Sequence, residues 1–319
     1  MLDTAAVSFH VSPTPDQLAH WANYTLKFSN GHVRTKHFIN THNSHGAALS
    51  FFHYPPHPPR FPLPYLSIQA SLPAVLFGNN VEQIAAESEI DEAIHEVNNF
   101  IAAVPWLPDL DFGAGCLRRL DAVYNHHVGP LVSDYIQALF RLDYPYRKTQ
   151  PYPYEGVQFK SGVISTSFYD KAKESLSAAA SGILRQETKL LHRHYIERKT
   201  SLDYPTLRDI TLPMLCKILQ QDLDMLHLNA CTVMDKSTAQ QLLIDRYGYM
   251  RGNTLFGHLI ARQSMSREQI RLQGASARTI QHYEKQITDA GVSLALGNDH
   301  LALPPLEILI PNAKICALS

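Results

Sequence analysis

Excess charge of either sign is missing from this chain of 319 residues: Lys and Arg number 28, Asp and Glu 29, and the formal net charge is −1 with histidine neutral. A uniformly basic coat for nucleic acid is thereby excluded, although charge segregated onto one face is not. Cysteine is scarce, at 116, 216, 231 and 316, and no CxxC pair occurs. Neither a zinc knuckle nor a thioredoxin-type site is supported, and dispersed thiols fit a reduced, cytoplasmic protein. The uncharged stretch 61–81 carries Pro62, Pro64 and Pro73, which forbid a continuous spanning helix, so no membrane segment is expected. The first residues, MLDTAAVSFHVS, lack a basic n-region, and no signal peptide is expected. A GxxxxGK[ST] phosphate loop is also missing. With 45% hydrophobic and 18% charged residues, the chain reads as a soluble globular protein, long enough for two domains with a proper core.

Period-2 alternation marks strands over 4–12, 32–39, 46–53 and 65–71. The Pro cluster at 55–64 reads as a stiff loop between strands, or as a polyproline ligand. Residues 82–103 predict a helix with Ile90, Ile94, Val97 and Ile101 on one stripe, ended by Pro105. A strand at 116–125, a helix near 130–142, a Pro/Tyr-rich loop at 147–156, and strands GVQFK, GVISTSFYDK and GILRQETKLL follow. The mixture predicts an α+β fold: an N-terminal antiparallel-sheet domain with flanking helices over 1–200, then a helical domain over 201–319.

The C-terminal region carries a patterned segment. REQIRL (267–272) forms a short helix, Gly274 a turn, and Ser276 an N-cap. The following helix sets Ile280, Tyr283, Ile287 and Ala290 inward and leaves Arg278, Thr279, Gln281, His282 and Lys285 outward, before Gly291 stops it. This is the layout of a DNA-binding helix-turn-helix, with 292–305 as a β wing in a winged-helix-like arrangement. From 251 to 285 there are six Lys/Arg against two Asp/Glu, a local excess suited to phosphate contacts. The plainer alternative is a helical hairpin with solvated charges.

Three segments of the first domain carry candidate chemistry. In RRLDAVYN, Asp121 shares a strand face with Arg119; in GILRQETKLL, Arg185, Glu187 and Lys189 share one face; in STSFYDKAKE, Tyr169 precedes Asp170, Lys171 and Lys173. A carboxylate at strand centre is costly to bury unless paired or bound to metal. Two on neighbouring strands can hold a hard divalent ion, which polarises a phosphoryl oxygen, and a phenol beside it can attack phosphorus. Equally, Asp121 and Glu187 can be salt-bridged to Arg119 and Arg185, with Tyr169 as framework.

The order LSIQASLPAVLFGNN, RRLDAVYN, SFYDKAKE, GILRQETKL resembles the filamentous-phage gene II and gene X replication proteins and related initiators of small plasmids, over roughly 60–200. The resemblance implies a rolling-circle initiator, a DNA nickase that forms a 5′-phosphotyrosine intermediate and religates one strand at an origin. It implies Tyr169 as nucleophile with Lys171 and Lys173 beside it, Asp121, Glu187 and Asp170 as ligands for Mg²⁺ or Mn²⁺, and Arg119, Arg185 and Lys189 with the outward helix residues as DNA contacts. His126 would support the site. The His-hydrophobic-His triplet of many rolling-circle enzymes is missing; His192-Arg193-His194 and Asn125-His126-His127 come nearest. Without a phosphate loop, unwinding requires a host helicase. Tyr144, Tyr146, Tyr152 and Tyr154 are candidates to stack on single-stranded DNA, and Tyr195 is a candidate second tyrosine. The competing classes are a non-catalytic DNA-binding regulator and, more weakly, a metalloenzyme using the eight histidines of the first 60 residues, which no helical segment presents at zinc-site spacing.

Overall fold

In the computed structural model, residues 1–27, 33–44, 46–56, 63–297 and 302–309 are described. In chain order these form β1 (Leu2–Phe9), α1 (Pro15–Leu18), β2 (Ala22–Lys27), β3 (Val33–His42), β4 (Ala48–Tyr54), β5 (Tyr65–Ser71), α2 (Leu72–Phe77) and α3 (Glu87–Ala103). There follow β6 (Cys116–His127), α4 (Val132–Phe140), β7 (Lys148–Tyr152), β8 (Gly156–Lys160), β9 (Ile164–Asp170), α5 (Lys171–Ser175), β10 (Ile183–Leu190) and α6 (Arg193–Thr200). The rest is helical: α7 (Leu212–Leu226), α8 (Lys236–Tyr247), α9 (Tyr249–Ser264), α10 (Arg267–Leu272) and α11 (Ala277–Asp289). The class is α+β, with antiparallel pairing in the registered strands. No helix among the described residues is long and apolar enough to cross a membrane.

Two compact units divide the chain. One joins Met1–Tyr124 with Thr188–Ile218, the other Asn125–Glu187 with Leu219–Ile308. Each draws on residues from both sides of position 200, where the sequence turns helical; composition marks that change in element type, whereas the units are set by packing.

In the first unit the strands run β2-β3-β4-β5-β1-β6. Alternation sets one face inward: Leu49 and Phe51 of β4, Leu66 and Ile68 of β5, and Val7 of β1 are buried. The stripe Ile90, Ile94, Val97 and Ile101 of α3 is buried too, as its spacing predicts. The helix starts five residues later than its periodicity indicates, because the Glu89 carboxylate accepts the Ala85 and Ala86 N–H groups at 2.6 and 3.1 Å and fixes the first turn there. Most of the Pro cluster, 57–62, lies outside the described residues.

In the second unit the order is β10-β9-β8-β7. Phe159 and Phe168 of the sheet share one buried cluster with Leu139 of α4, Leu243 of α8, Leu259 of α9 and Ile287 of α11. The segment 147–156, expected as a loop, contains β7, paired to β8 from Lys148↔Lys160 to Tyr152↔Gly156. In the segment expected as a β wing, Val292 bridges Thr232 and Leu303 bridges Val233, so each arm has a bridge to 232–233; residues 298–301 lie outside the described set.

Candidate active site and nucleic-acid interface

On β6, residues two apart share a face, so the Arg119 fork reaches Asp121. Its Nε lies 2.9 and 3.1 Å from the two carboxylate oxygens and Nη2 lies 2.5 Å from Oδ2. Asp121 is fully buried, and the guanidinium meets the charge that burial would otherwise penalise. Arg119 also donates to Gln69 Oε1 at 3.3 Å.

On β10 the polar stripe is buried: Arg185 and Glu187 are almost without exposure, and Lys189 is half-buried. Leu184, Gln186, Thr188 and Leu190 on the other face are buried as well, so both faces of the strand are covered. His126, at the end of β6, is buried and donates from Nε2 to Gln186 Oε1 at 3.0 Å, while the Gln186 amide nitrogen donates to the Leu219 carbonyl. Burial pulls the imidazole pKa down to about 4, which makes it a neutral structural group at ordinary pH.

Tyr169 closes β9 and is 4% exposed. Its ring centroid lies 5.2 Å from that of Tyr152 on β7. Gly156 faces it across the β8–β9 pair, and a Cβ there would come within 2.6 Å of the Tyr169 Cβ; only glycine lets the phenol lie where it does. Asp170 is the N-cap of α5, its Oδ1 accepting from the Ala172 and Lys173 N–H groups at 2.9 and 3.4 Å. Lys171 is buried and pairs with Glu174; Lys173 is exposed and pairs with Glu155.

These positions decide how the candidate metal ligands stand. Both oxygens of Asp121 face a guanidinium, and Asp170 caps a helix. A divalent ion would need Asp121 to leave Arg119, so the observed arrangement does not fit a metal centre.

The tyrosine-rich segment separates into two kinds of residue. Tyr144 is buried, donates to Asp222 Oδ1 at 2.6 Å and lies under the Arg147 guanidinium at 3.8 Å; burial and the Asp222 charge push its phenol pKa up. It is framework and not a base-stacking ring. Tyr146 is fully exposed and Tyr154 half exposed.

The α10–α11 segment matches its sequence pattern closely. Ser266 and Ser276 cap the two helices, Ser276 Oγ accepting from the Thr279 N–H at 3.0 Å. Gly274 takes φ +101 in the turn, a conformation that favours glycine. Ile280 and Ile287 are buried, while Arg278, Gln281, His282 and Lys285 are exposed. Thr279 is half-buried, its hydroxyl 2.8 Å from Ser276 Oγ, so it serves the cap. Lys285 pairs with Asp289 at 2.8 Å.

One residue of this helix escaped the pattern reading. Glu284 is buried on the inner stripe, accepting from Arg262 Nε at 2.9 Å and facing Arg267 Nη2 at 2.6 Å. Arg262 reaches on to Asp143 Oδ2 at 2.7 Å. The signal was available: a carboxylate between Ile280 and Ile287 falls on the apolar face. A cleft of about 1270 Å³ runs beside this network, lined by Arg267 and Arg271 but also by Glu268 and Asp289. Its charge is mixed, as it is on the outer face of α11, where Lys285 pairs with Asp289 and Arg278 stands in the first turn.

No family model, curated protein or solved structure matches the chain.

Proposed function

We propose that this chain binds duplex DNA through α10–α11 and acts there as a rolling-circle type strand transferase. The observation that carries the binding is the capped helix–glycine turn–helix with its apolar stripe buried and Arg278, Gln281, His282 and Lys285 in solvent. A helix so held offers its first turns to the major groove, with Arg and Gln able to read purine edges.

The transferase step is assigned to Tyr169 on the order of segments around it. Its phenol oxygen would form the new bond to phosphorus while the 3′ hydroxyl of the cleaved sugar leaves with the proton. The reverse exchange reseals the strand without ATP, since the phosphotyrosine keeps the energy of the broken link. Lys173, exposed beside it, would meet charge on the phosphate. A separate helicase belongs to the same proposal.

A second reading is favoured by one observation: at 4% exposure, Tyr169 must be uncovered before any phosphate can reach it. In that reading the chain is a non-catalytic DNA-binding regulator. Supercoiled plasmid carrying the replicon origin, incubated with Mg²⁺ or Mn²⁺, separates the two. Strand transfer predicts nicked circles and a covalent protein–DNA adduct mapped to Tyr169, both lost in Tyr169→Phe with origin binding kept. Undiminished binding with no adduct in the native chain leaves the regulator.

A further inference from the structure

The sheet of the first unit has a second face unlike its buried one. Register places Phe38 opposite Phe52, Tyr54 opposite Tyr65, Phe52 opposite Ser67 and Ser50 opposite Gln69. These residues and Lys36 are all half-buried, and Tyr24 on β2 is exposed. Their alternating neighbours on β4 and β5, Leu49, Phe51, Leu66 and Ile68, are fully buried. Among the described residues, then, this face is less covered than its opposite.

Rings and cations on this face are interleaved. Tyr54 and Tyr65 stack with centroids 4.5 Å apart. Lys36 Nζ lies 5.0 Å from the Phe52 ring, 5.9 Å from Tyr24 and 6.0 Å from Phe38. The Arg118 guanidinium lies 5.8 Å from the Tyr65 ring, with its Nε bonded to Ser8 Oγ at 2.7 Å. Carboxylates are conspicuously absent from the sequence around these strands. From Gln17 to Val81 there is no Asp or Glu, against Lys27, Arg34, Lys36 and Arg60. The whole of β2–β5 falls inside that stretch. Within a chain of net charge −1, this is a strong local segregation. At the β6 end of the face, Asp121 has its charge met by Arg119.

We infer that this face is a binding platform for single-stranded DNA, with bases stacked on Phe38, Phe52, Tyr54 and Tyr65 and phosphates met by Lys36 and Arg118. Half-buried rings interleaved with cations, the acids confined to Asp3 and Asp121 at the far end of the face, match an unpaired polynucleotide, whose every base has a stacking face and whose every link carries a negative charge. A duplex hides its base faces and cannot use them. The Phe38/Phe52 and Tyr54/Tyr65 rows lie two residues apart along the strands, about 7 Å, roughly twice the rise of stacked bases, which suits bases splayed from an extended strand. The choice of DNA over RNA rests on the proposed function; the platform itself is independent of the Tyr169 chemistry and of α11.

The test is fluorescence anisotropy of a labelled 20-nucleotide oligothymidylate with the full chain in EDTA, across a salt series, with oligouridylate and a random-sequence duplex as competitors. The native chain is expected to prefer oligothymidylate to both. Phe52→Leu and Tyr65→Leu should each weaken binding about tenfold or more. Phe52→Tyr, which keeps a ring, should retain it, and Lys36→Gln should reduce the salt dependence by about one phosphate contact. Arg278→Gln on α11 should leave this binding unchanged while weakening binding to an origin duplex. The inference is overturned if the native chain binds the random duplex or oligouridylate as tightly. It is equally overturned if the leucine variants, shown folded by unchanged melting, bind like the native chain. Failure of origin binding or nicking with oligothymidylate binding intact would remove the proposed function and leave the platform.

Discussion

A neutral imidazole held in the interior gives His126 a measurable signature. Its folded pKa is about 4, below the ordinary 6.5, because burial disfavours the charged form. Between those values the unfolded chain binds the proton and the folded one does not, so stability is full above about pH 6.5 and falls as the pH drops toward 4. Taken at about 1.4 kcal/mol per unit, the loss approaches 3 kcal/mol. Urea unfolding followed from pH 6.5 to 4 should therefore show a gentler decline in His126→Gln than in the native chain; parallel declines would mean the histidine is not buried neutral. The same residue shows what sequence can reveal at this scale. Position 126 falls just past the strand expected at 116–125, and nothing in the local pattern says that Gln186 would meet it from a strand about sixty residues on. Tyr169 is similar: its place at the end of an apolar strand was legible, whereas its cover by Tyr152 depends on β7, a strand that the sequence disguised.

Elements differ in how plainly they announce themselves. β5, β8 and α10 follow their patterns to the residue, because alternation and caps are local causes. β7 reads as loop because Pro151 cannot donate to a ladder; it is tolerated because β7 is the last strand of its run, β10-β9-β8-β7, where one side needs no donor. The arms of the 292–305 segment are good strand sequence, but local pattern does not reveal that 232–233 bridges to both of them. For α11, two kinds of support can be ranked. Losing the Ser276 cap by Ser276→Ala should cost about 1 kcal/mol. Glu284→Gln removes the charge between Arg262 and Arg267 and leaves the buried Arg262 guanidinium with Asp143 as its carboxylate, beside the Met265 carbonyl, which should cost about 3 kcal/mol. Urea unfolding of the two variants checks the order, and a larger loss in Ser276→Ala would show that the buried ion network does not hold the helix. Because Glu284 lies off the outward face, its loss should weaken duplex binding only as far as α11 loses its place.

At the scale of the whole molecule, the α+β class was legible from the mixture of periods, and the turn to helix after 200 is real. What composition could not reveal is which helices complete which sheet. The buried cluster of the second unit draws Leu139, Phe159 and Phe168 from before residue 200 and Leu243, Leu259 and Ile287 from after it, while the first unit takes Thr188–Ile218 after an interruption. A cut at 200 therefore severs hydrophobic contacts inside a core, each buried aromatic or leucine losing about 1.5–3 kcal/mol of transfer free energy, against a total stability of only about 5–15 kcal/mol for a domain. Expressed alone, 201–319 should keep helix by circular dichroism but lack a cooperative thermal transition and bind a hydrophobic dye, and origin duplex should not be bound by it. Mixing it with 1–200 should restore a single sharp transition if the core is shared as described. A cooperatively melting, DNA-binding 201–319 fragment would instead show that the helical region folds by its own contacts and that the strands of the second unit are dispensable to it.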